Sequence, residues 1–372
     1  MFSPAIYLGE VKVKISMNNT FWNGKRVLLT GHTGFKGSWL SLWLQSVGVD
    51  LWGYALQPPT EPSLFELARV AEGMNSVIGD VCDRGHLQKV IAECKPEIVI
   101  HMAAQSVVRS SYTDPVSTYS TNVMGTVNLL EAIRQVGGVR VVVNVTTDKC
   151  YENKEWVWGY RENDPLGGYD PYSSSKACSE LVTSSYRDSF FHPSEYANHG
   201  VAIASARAGN VIGGGDWTPD GLVADITKSL LSKQPILIRN PYATRPWQHV
   251  LDALNGYLTL AEKLYNNGSA FADAWNFGPY ESSIKPVGWL VDQLLFLWGE
   301  NVHWEQDKGY QPHEANSLSL DCSKARLKLG WEPKLSLVEA LEQIIVWTKS
   351  YQSGADMQEI TKAAIHRFMA IS

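Results

Sequence analysis

Residues 26–37 read Arg26-Val27-Leu28-Leu29-Thr30-Gly31-His32-Thr33-Gly34-Phe35-Lys36-Gly37, and this stretch decides the fold. Residues 26–29 form a short apolar run of the kind buried as a strand. The run after Gly37 sets Trp39, Leu40, Trp43, Leu44 and Val47 on one face of a helix. Between them stand three glycines at three-residue spacing. Glycines there permit a tight turn and close backbone approach, and the amino end of the helix favours a pyrophosphate. Alone, such a triplet also serves as a plain strand-to-helix turn. Its place at the head of a long α/β series favours the ligand-holding reading.

Further strand patterns lie at 49–56, 75–79, 97–104, 140–145 and 201–206. Helical patterns separate them. Asp83 is placed to cap one that runs to about residue 94, and a long one covers 115–135 before Gly137-Gly138. Apolar strands alternating with helices predict an α/β fold, a Rossmann-type doubly wound parallel sheet covered on both faces. Ligands bind such sheets beyond the carboxyl ends of the strands. The loops after Leu29, Gly79, Ile100, Val145 and Ala206 are therefore expected to line one crevice. Asp80 closes the third strand, as acceptor for an adenine amino group or as cap of the next turn. The second strand ends Gly53-Tyr54-Ala55-Leu56-Gln57, without an acid for ribose hydroxyls or a base for a 2′-phosphate. The missing base tilts the expectation towards NAD over NADP.

After Asn210 the pattern turns irregular, with Gly213-Gly214-Gly215-Asp216 and segments punctuated by Pro235, Pro241 and Pro246. The expected division is a dinucleotide-binding domain over 17–206 and 242–278, and a smaller discontinuous C-terminal α/β substrate domain over 207–241 and 279–372. Residues 1–16 are expected outside the fold, since Met17 opens the segment that makes structural sense. They lack the apolar core of a signal segment.

A length of 372 residues exceeds what one compact core usually supports. With 44% hydrophobic and 19% charged residues the chain is globular rather than disordered. A net charge of -6 lends no support to a nucleic-acid or anionic-membrane surface. Five scattered Cys without a CxxC pair read as free thiols in a reducing compartment, and no apolar run is long enough to span a bilayer. A cytoplasmic protein is expected. No Lys, His or Cys set has metal-ligand spacing, so no metal is expected. Fourteen Trp suit core packing as well as a sugar surface.

The chemistry is expected between Thr146 and Lys176. The strand Val141-Val142-Val143-Asn144-Val145 ends in Thr146-Thr147-Asp148-Lys149, and a helix then carries Tyr172 and Lys176 at i and i+4, on one face. An unperturbed Tyr, near pKa ~10, is a poor base at neutral pH, and a nearby ammonium stabilises the phenolate. Lys176 can also donate to the ribose of a nicotinamide cofactor.

Taken together, these pieces resemble the extended short-chain dehydrogenase/reductases, and among them the nucleotide-sugar 4,6-dehydratases. The resemblance rests on the glycine turn, His101-Met102-Ala103-Ala104-Gln105, Thr121-Asn122-Val123-Met124-Gly125-Thr126, Tyr172 to Lys176 and Arg207-Ala208-Gly209-Asn210. Finer matches are Thr147-Asp148-Lys149-Cys150-Tyr151, residues 209–217 and Arg245-Pro246-Trp247-Gln248-His249-Val250, which resemble the branch acting on CDP-glucose. The resemblance implies a lyase with bound NAD that feeds deoxysugar synthesis for surface polysaccharide such as lipopolysaccharide O-antigen. It implies NAD contacts from Gly31, Thr33, Gly34, Phe35, Lys36, Gly37, Asp80, Val81, Met102, Ala103, Ala104, Gln105, Tyr172 and Lys176. It also implies a homodimer or homotetramer through a helix bundle built from the helix starting at Pro115 and the Tyr172 helix.

By the same resemblance, Tyr172 takes the proton of the sugar 4-hydroxyl, Lys176 tunes it, and Thr147 bonds the same oxygen. Asp148 protonates the departing C6 hydroxyl, which requires it to stay protonated. Lys149 stands where better-known relatives carry Glu as the base at C5. Its role stays open between a neutral amine base and a cation that stabilises the enolate. Gln105, Thr147, Asn210, Arg239, Arg245 and His313 are the expected substrate contacts, with Arg245 for the diphosphate. Asn122 is read as packing support. The rival readings are a 4-epimerase, a dehydratase of another nucleotide, and a non-enzymatic NAD-binding regulator. Asp148-Lys149 speaks against an epimerase, and the retention of Tyr172, Lys176 and Asp148 speaks against the regulator.

Overall fold

The computed structural model describes residues 19–299, 302–309 and 317–371. The expected extension at 1–16, and His313, lie outside the described residues. Seven strands form one parallel sheet: β1 Arg26–Thr30, β2 Asp50–Ala55, β3 Asn75–Ile78, β4 Ile98–His101, β5 Val141–Val145, β6 Ala202–Ala208 and β7 Ala274–Phe277. Their spatial order is β7-β6-β5-β4-β1-β2-β3. The order reverses between β1 and β4, which opens the crevice where ligands of such sheets bind. β4 and β5 are buried at every residue, because helices cover both faces.

Helix α1 (Phe35–Ser46) follows the glycine turn and buries Trp39 and Trp43, which explains the long apolar face read there. Two apolar clusters cover the two sheet faces, one around Trp39, Val143 and Leu254, the other around Leu28, Ile91, Val142 and Leu130. A third cluster, with Ile226, Ile236, Leu290, Leu294 and Leu341, lies under the segments after Asn210. There short strands pair Ile236–Ile238 with Trp304–Gln306, and Thr244–Pro246 with Ile284–Pro286. The last helix, Met357–Ala370, returns to α1, where Phe368 meets Trp43 edge to face at 5.5 Å. Trp22, Trp39, Trp43, Trp275, Trp298 and Trp331 are fully buried, so core packing accounts for much of the Trp content.

The long helix expected over 115–135 carries a π turn that its pattern did not show: Pro115–Tyr119 passes through Ser120–Met124 into α2 (Gly125–Val136) with helical backbone throughout. The fourth strand ends at His101, and Met102 N gives the last ladder bond to Thr30 O of β1 at 3.2 Å before the exit loop expected there begins. β7, with the sequence Ala-Trp-Asn-Phe, adds a seventh strand that sequence patterns did not predict.

Candidate active site

The glycine turn fits a dinucleotide on its own geometry. Gly31 has φ +78, and a Cβ there would lie 2.7 Å from Ala103 N. A Cβ on Gly37 would run into the Gly31 carbonyl. The turn is therefore packed backbone to backbone against the β4 exit, leaving the α1 amino end open to an anion. Thr30 Oγ1 locks this junction by accepting from Met102 N and Ala103 N, both at 3.1 Å. Thr33 Oγ1 donates to Leu56 O at 2.9 Å. Asp80 Oδ1 accepts from Cys82 N at 2.8 Å, the turn-capping arrangement.

The candidate edge forms where β5 meets helix α3 (Pro171–Phe190). α3 starts at the Asp170 cap and at a bond from Tyr172 N to Ser111 Oγ, 3.1 Å. Among the many Ser and Thr of α3, Ser179 and Thr183 are buried against β5. Asn144 Nδ2 donates to Ser179 Oγ at 3.0 Å and to Thr183 Oγ1 at 2.7 Å. Lys176 Nζ donates to Val145 O at 3.1 Å. The polar ladder fixes the register of Tyr172 against Thr147 and Asp148.

Tyr172 is buried, and burial pushes its phenol well above the ordinary value, with the Thr147 hydroxyl acting the other way. The expected lowering by Lys176 is thus not met in the protein alone, where desolvation dominates. Burial and the nearby Lys36 pull Lys176 down to about 8. Lys36, in the glycine turn, is likewise drawn to about 8 by burial, against the carboxylates of Asp148 and Asp216.

Asp148 has the environment an acid needs. It is fully buried, and desolvation raises its carboxyl above the usual range, against Lys149, the Thr147 hydroxyl and Arg245. Thr147 Oγ1 donates to its Oδ1 at 3.0 Å. Half-buried Lys149 lines a cleft of roughly 630 Å³ together with Asn210, Arg239 and Arg245. Arg245 is buried in the strand Thr244–Pro246, and Asn210 has φ 45, in the left-handed region. The structure therefore gathers Thr147, Asp148, Lys149, Tyr172 and Lys176 at one edge and three substrate candidates in the adjoining cleft.

Gln105 is turned inward. Its Nε2 donates to Val107 O at 3.1 Å and Thr118 Oγ1 at 3.0 Å, so its amide is engaged by its own loop and by the helix Pro115–Tyr119. Asn122, on the π turn, bonds both backbone groups of Gln105 and donates to Ser175 Oγ at 2.8 Å. It ties the Gln105 loop to helix α3. Sequence reasoning missed Arg109 and Asp220, which also line the cleft. Asp220 pairs with Arg109 at 3.3 Å and approaches Arg239 at 3.8 Å, across 111 and 19 residues. No local pattern signals either pairing.

The fold, glycine turn and Tyr-Lys helix define a nucleotide-sugar-modifying dehydrogenase/reductase class, and a family model agrees. The GDP-mannose 4,6 dehydratase model matches residues 28–344, and the chain belongs to that family. Among its relatives, the CDP-glucose 4,6-dehydratase of Salmonella typhimurium is 56% identical over 354 residues, 95% of this chain and 99% of that protein. Solved structures share the fold. An epimerase of Methanothermobacter thermautotrophicus has a TM-score of 0.76 at 23% identity, covering 90% of this chain and 95% of its own. The dTDP-glucose 4,6-dehydratase of Streptomyces venezuelae, solved with NAD bound, has a TM-score of 0.74 at 24% identity, covering 90% and 99%.

Proposed function

We propose that the chain is a CDP-glucose 4,6-dehydratase, a hydro-lyase that converts CDP-glucose into CDP-4-dehydro-6-deoxy-D-glucose and water with tightly held NAD. The observation that carries this reading is a buried Asp148 between Thr147 and Lys149, its carboxyl raised by desolvation, at the same edge as Tyr172 and Lys176. An epimerase has no leaving hydroxyl to protonate and no need of such an acid. The near full-length likeness to the Salmonella typhimurium protein supports the CDP-glucose assignment.

NAD, when bound, supplies the redox chemistry, oxidising C4 at the start and reducing C6 at the end, so that none is consumed. The residues of the chain handle the protons. Tyr172 Oη accepts the proton of the 4-hydroxyl, and its raised phenol means that an added positive charge in the site is needed to ionise it. Thr147 Oγ1 bonds the same sugar oxygen and orients Asp148. The 4-ketone acidifies the C5 proton, which Lys149 removes as an amine, or which water or another residue takes while Lys149 as a cation stabilises the enolate. Asp148 delivers its proton to the C6 oxygen, which leaves as water. Arg245 and Arg239 hold the diphosphate, and Asn210 a phosphate or sugar hydroxyl.

The remaining assignments follow the same reading. Residues 17–206 with 242–278 hold NAD, and 207–241 with 279–372 hold the nucleotide sugar. The chain works as a homo-oligomer through its helix bundle. Val116, Met124 and Leu181, on those helices, are 74%, 51% and 59% exposed, which supports an apolar mating face. All five cysteines are free thiols, in keeping with a cytoplasmic enzyme of deoxysugar synthesis. No helix among the described residues is long and apolar enough to cross a membrane.

The test is incubation with CDP-glucose and detection of the alkali-induced absorbance of a 4-keto-6-deoxy sugar. Turnover of UDP- or dTDP-glucose with none of CDP-glucose would sink the substrate and spare the reaction class.

A further inference from the structure

Tyr172, Lys176 and Glu180 follow one another at i, i+4 and i+8 along one face of α3. Glu180 is buried against Arg207 of β6: Arg207 Nη2 and Glu180 Oε2 are 2.9 Å apart, with side chains 4% and 3% exposed. The second Glu180 oxygen accepts from Thr146 Oγ1. Arg207 Nη1 donates to Tyr151 Oη at 2.8 Å and Glu162 O at 3.0 Å, and Tyr151 Oη donates to Asn276 Oδ1 of β7 at 2.7 Å.

The consequence lies at the β5 exit. Two successive residues there are tied to two successive turns of the catalytic helix, Val145 through Lys176 and Thr146 through Glu180. The next two residues are Thr147 and Asp148. An apolar pair of similar volume would usually serve stability as well as a buried ion pair does. The charge needs another explanation, and its place one helical turn from Lys176 offers one.

We propose that Glu180, paired with Arg207, is a positioning residue that keeps Lys176 an ammonium and pins the strand end carrying Thr147 and Asp148. The groups acting on Lys176 bear this out. Lys36 of the glycine turn and burial work against its charge, and Glu180 is the larger of the opposing influences, ahead of Cys150. His101, at the end of β4, is drawn down to about 3 by burial and by Lys176, and so adds no competing charge. Burial works against the Glu180 charge too, but Arg207 with the Thr146 and Ser205 hydroxyls holds the carboxyl below its usual value.

The inference rests on the proposed role of Lys176, and its test separates the two. Glu180→Gln keeps the shape and removes the charge. The titration of Lys176 is read without substrate, from its rate of trace acetylation against pH, followed by peptide mass spectrometry. The labelling midpoint is expected to fall by about one pH unit in Glu180→Gln. The alkaline limb of kcat is expected to fall with it, and Glu180→Asp to restore both. Should Glu180→Gln not fold, Glu180→Gln/Arg207→Met leaves no unpaired buried charge and predicts a smaller fall of the midpoint in the same direction, because the Arg207 cation leaves with the carboxylate. An unmoved midpoint with kcat lowered equally at every pH assigns the pair to packing and overturns the inference. A shifted midpoint in a chain that never turns over CDP-glucose supports this inference and counts against the functional reading instead.

Discussion

Gly209 leaves the space that the Asp148 carboxyl fills: a Cβ on Gly209 would overlap both carboxyl oxygens. Gly209 follows β6 directly, so the exits of β5 and β6 meet at this point. Asp148 is buried there only because position 209 has no side chain. Gly209→Ala is expected to push the acid aside, lowering kcat about 100-fold, the lower end of what a general acid contributes. Overpacking adds a stability loss of about 1–3 kcal/mol. Oxidation at C4 in a single turnover, read by nicotinamide absorbance, should survive. Equal loss of oxidation and elimination would contradict this placement.

Asp148 also sets a conflict between stability and activity. Its folded carboxyl binds its proton more tightly than the unfolded chain does, because burial disfavours the charge. The sign follows: the contribution to stability is present at low pH and is lost as pH rises through the folded value. Asp148→Asn removes that penalty. The variant should melt higher than the parent at pH 8, with the gain shrinking towards pH 4, while dehydration falls at least about 100-fold. Thermal scans across that range, paired with activity assays, check both halves.

Lys149 can be assigned a role by isotope exchange. In Lys149→Met, exchange of the C5 position with deuterated solvent should drop about 100-fold or more if the residue is the base. Exchange that proceeds undiminished while kcat falls would leave Lys149 as the cation that stabilises the enolate.

A second buried carboxyl governs stability away from the site. Asp252, on the helix Val250–Asn267, accepts from Lys334 N at 2.6 Å and Leu335 N at 3.4 Å. Burial pushes it up to about 7, against those two amides and the Lys334 charge. The folded chain therefore holds this proton between about pH 4 and 7 while the unfolded chain releases it. Stability from this group is full below that window and is lost as pH rises through 7. Asp252→Asn keeps an oxygen for Lys334 N and turns its NH2 towards Leu335 N, the longer of the two bonds, and its melting temperature should vary less than the parent's between pH 5 and 8.

Much of this was legible in the sequence, because its signals are local. Gly31 and Gly37 announce close backbone contacts, and Tyr172 and Lys176 announce a shared face through their spacing alone. What escaped depends on partners distant along the chain. Glu180 and Arg207 are 27 residues apart, and Glu180 reads as one more solvated helix charge until β6 is placed beside α3. Likewise Ser179 and Thr183 look like surface residues, yet they face Asn144. β7 is four residues long, with Asn276 at its centre turned to Tyr160 and Asp321, so no apolar run betrays it. The π turn at Ser120–Met124 leaves the helical period almost intact, which hides it from a periodicity argument.

The central claim is that this edge removes water from CDP-glucose without net redox change. CDP-glucose deuterated at C4, turned over in ordinary water with NAD, tests it most directly. The account predicts CDP-4-dehydro-6-deoxy-D-glucose with the deuterium at C6 and no accumulation of reduced cofactor. Formation of the C4 epimer, or a product without deuterium at C6, would contradict it.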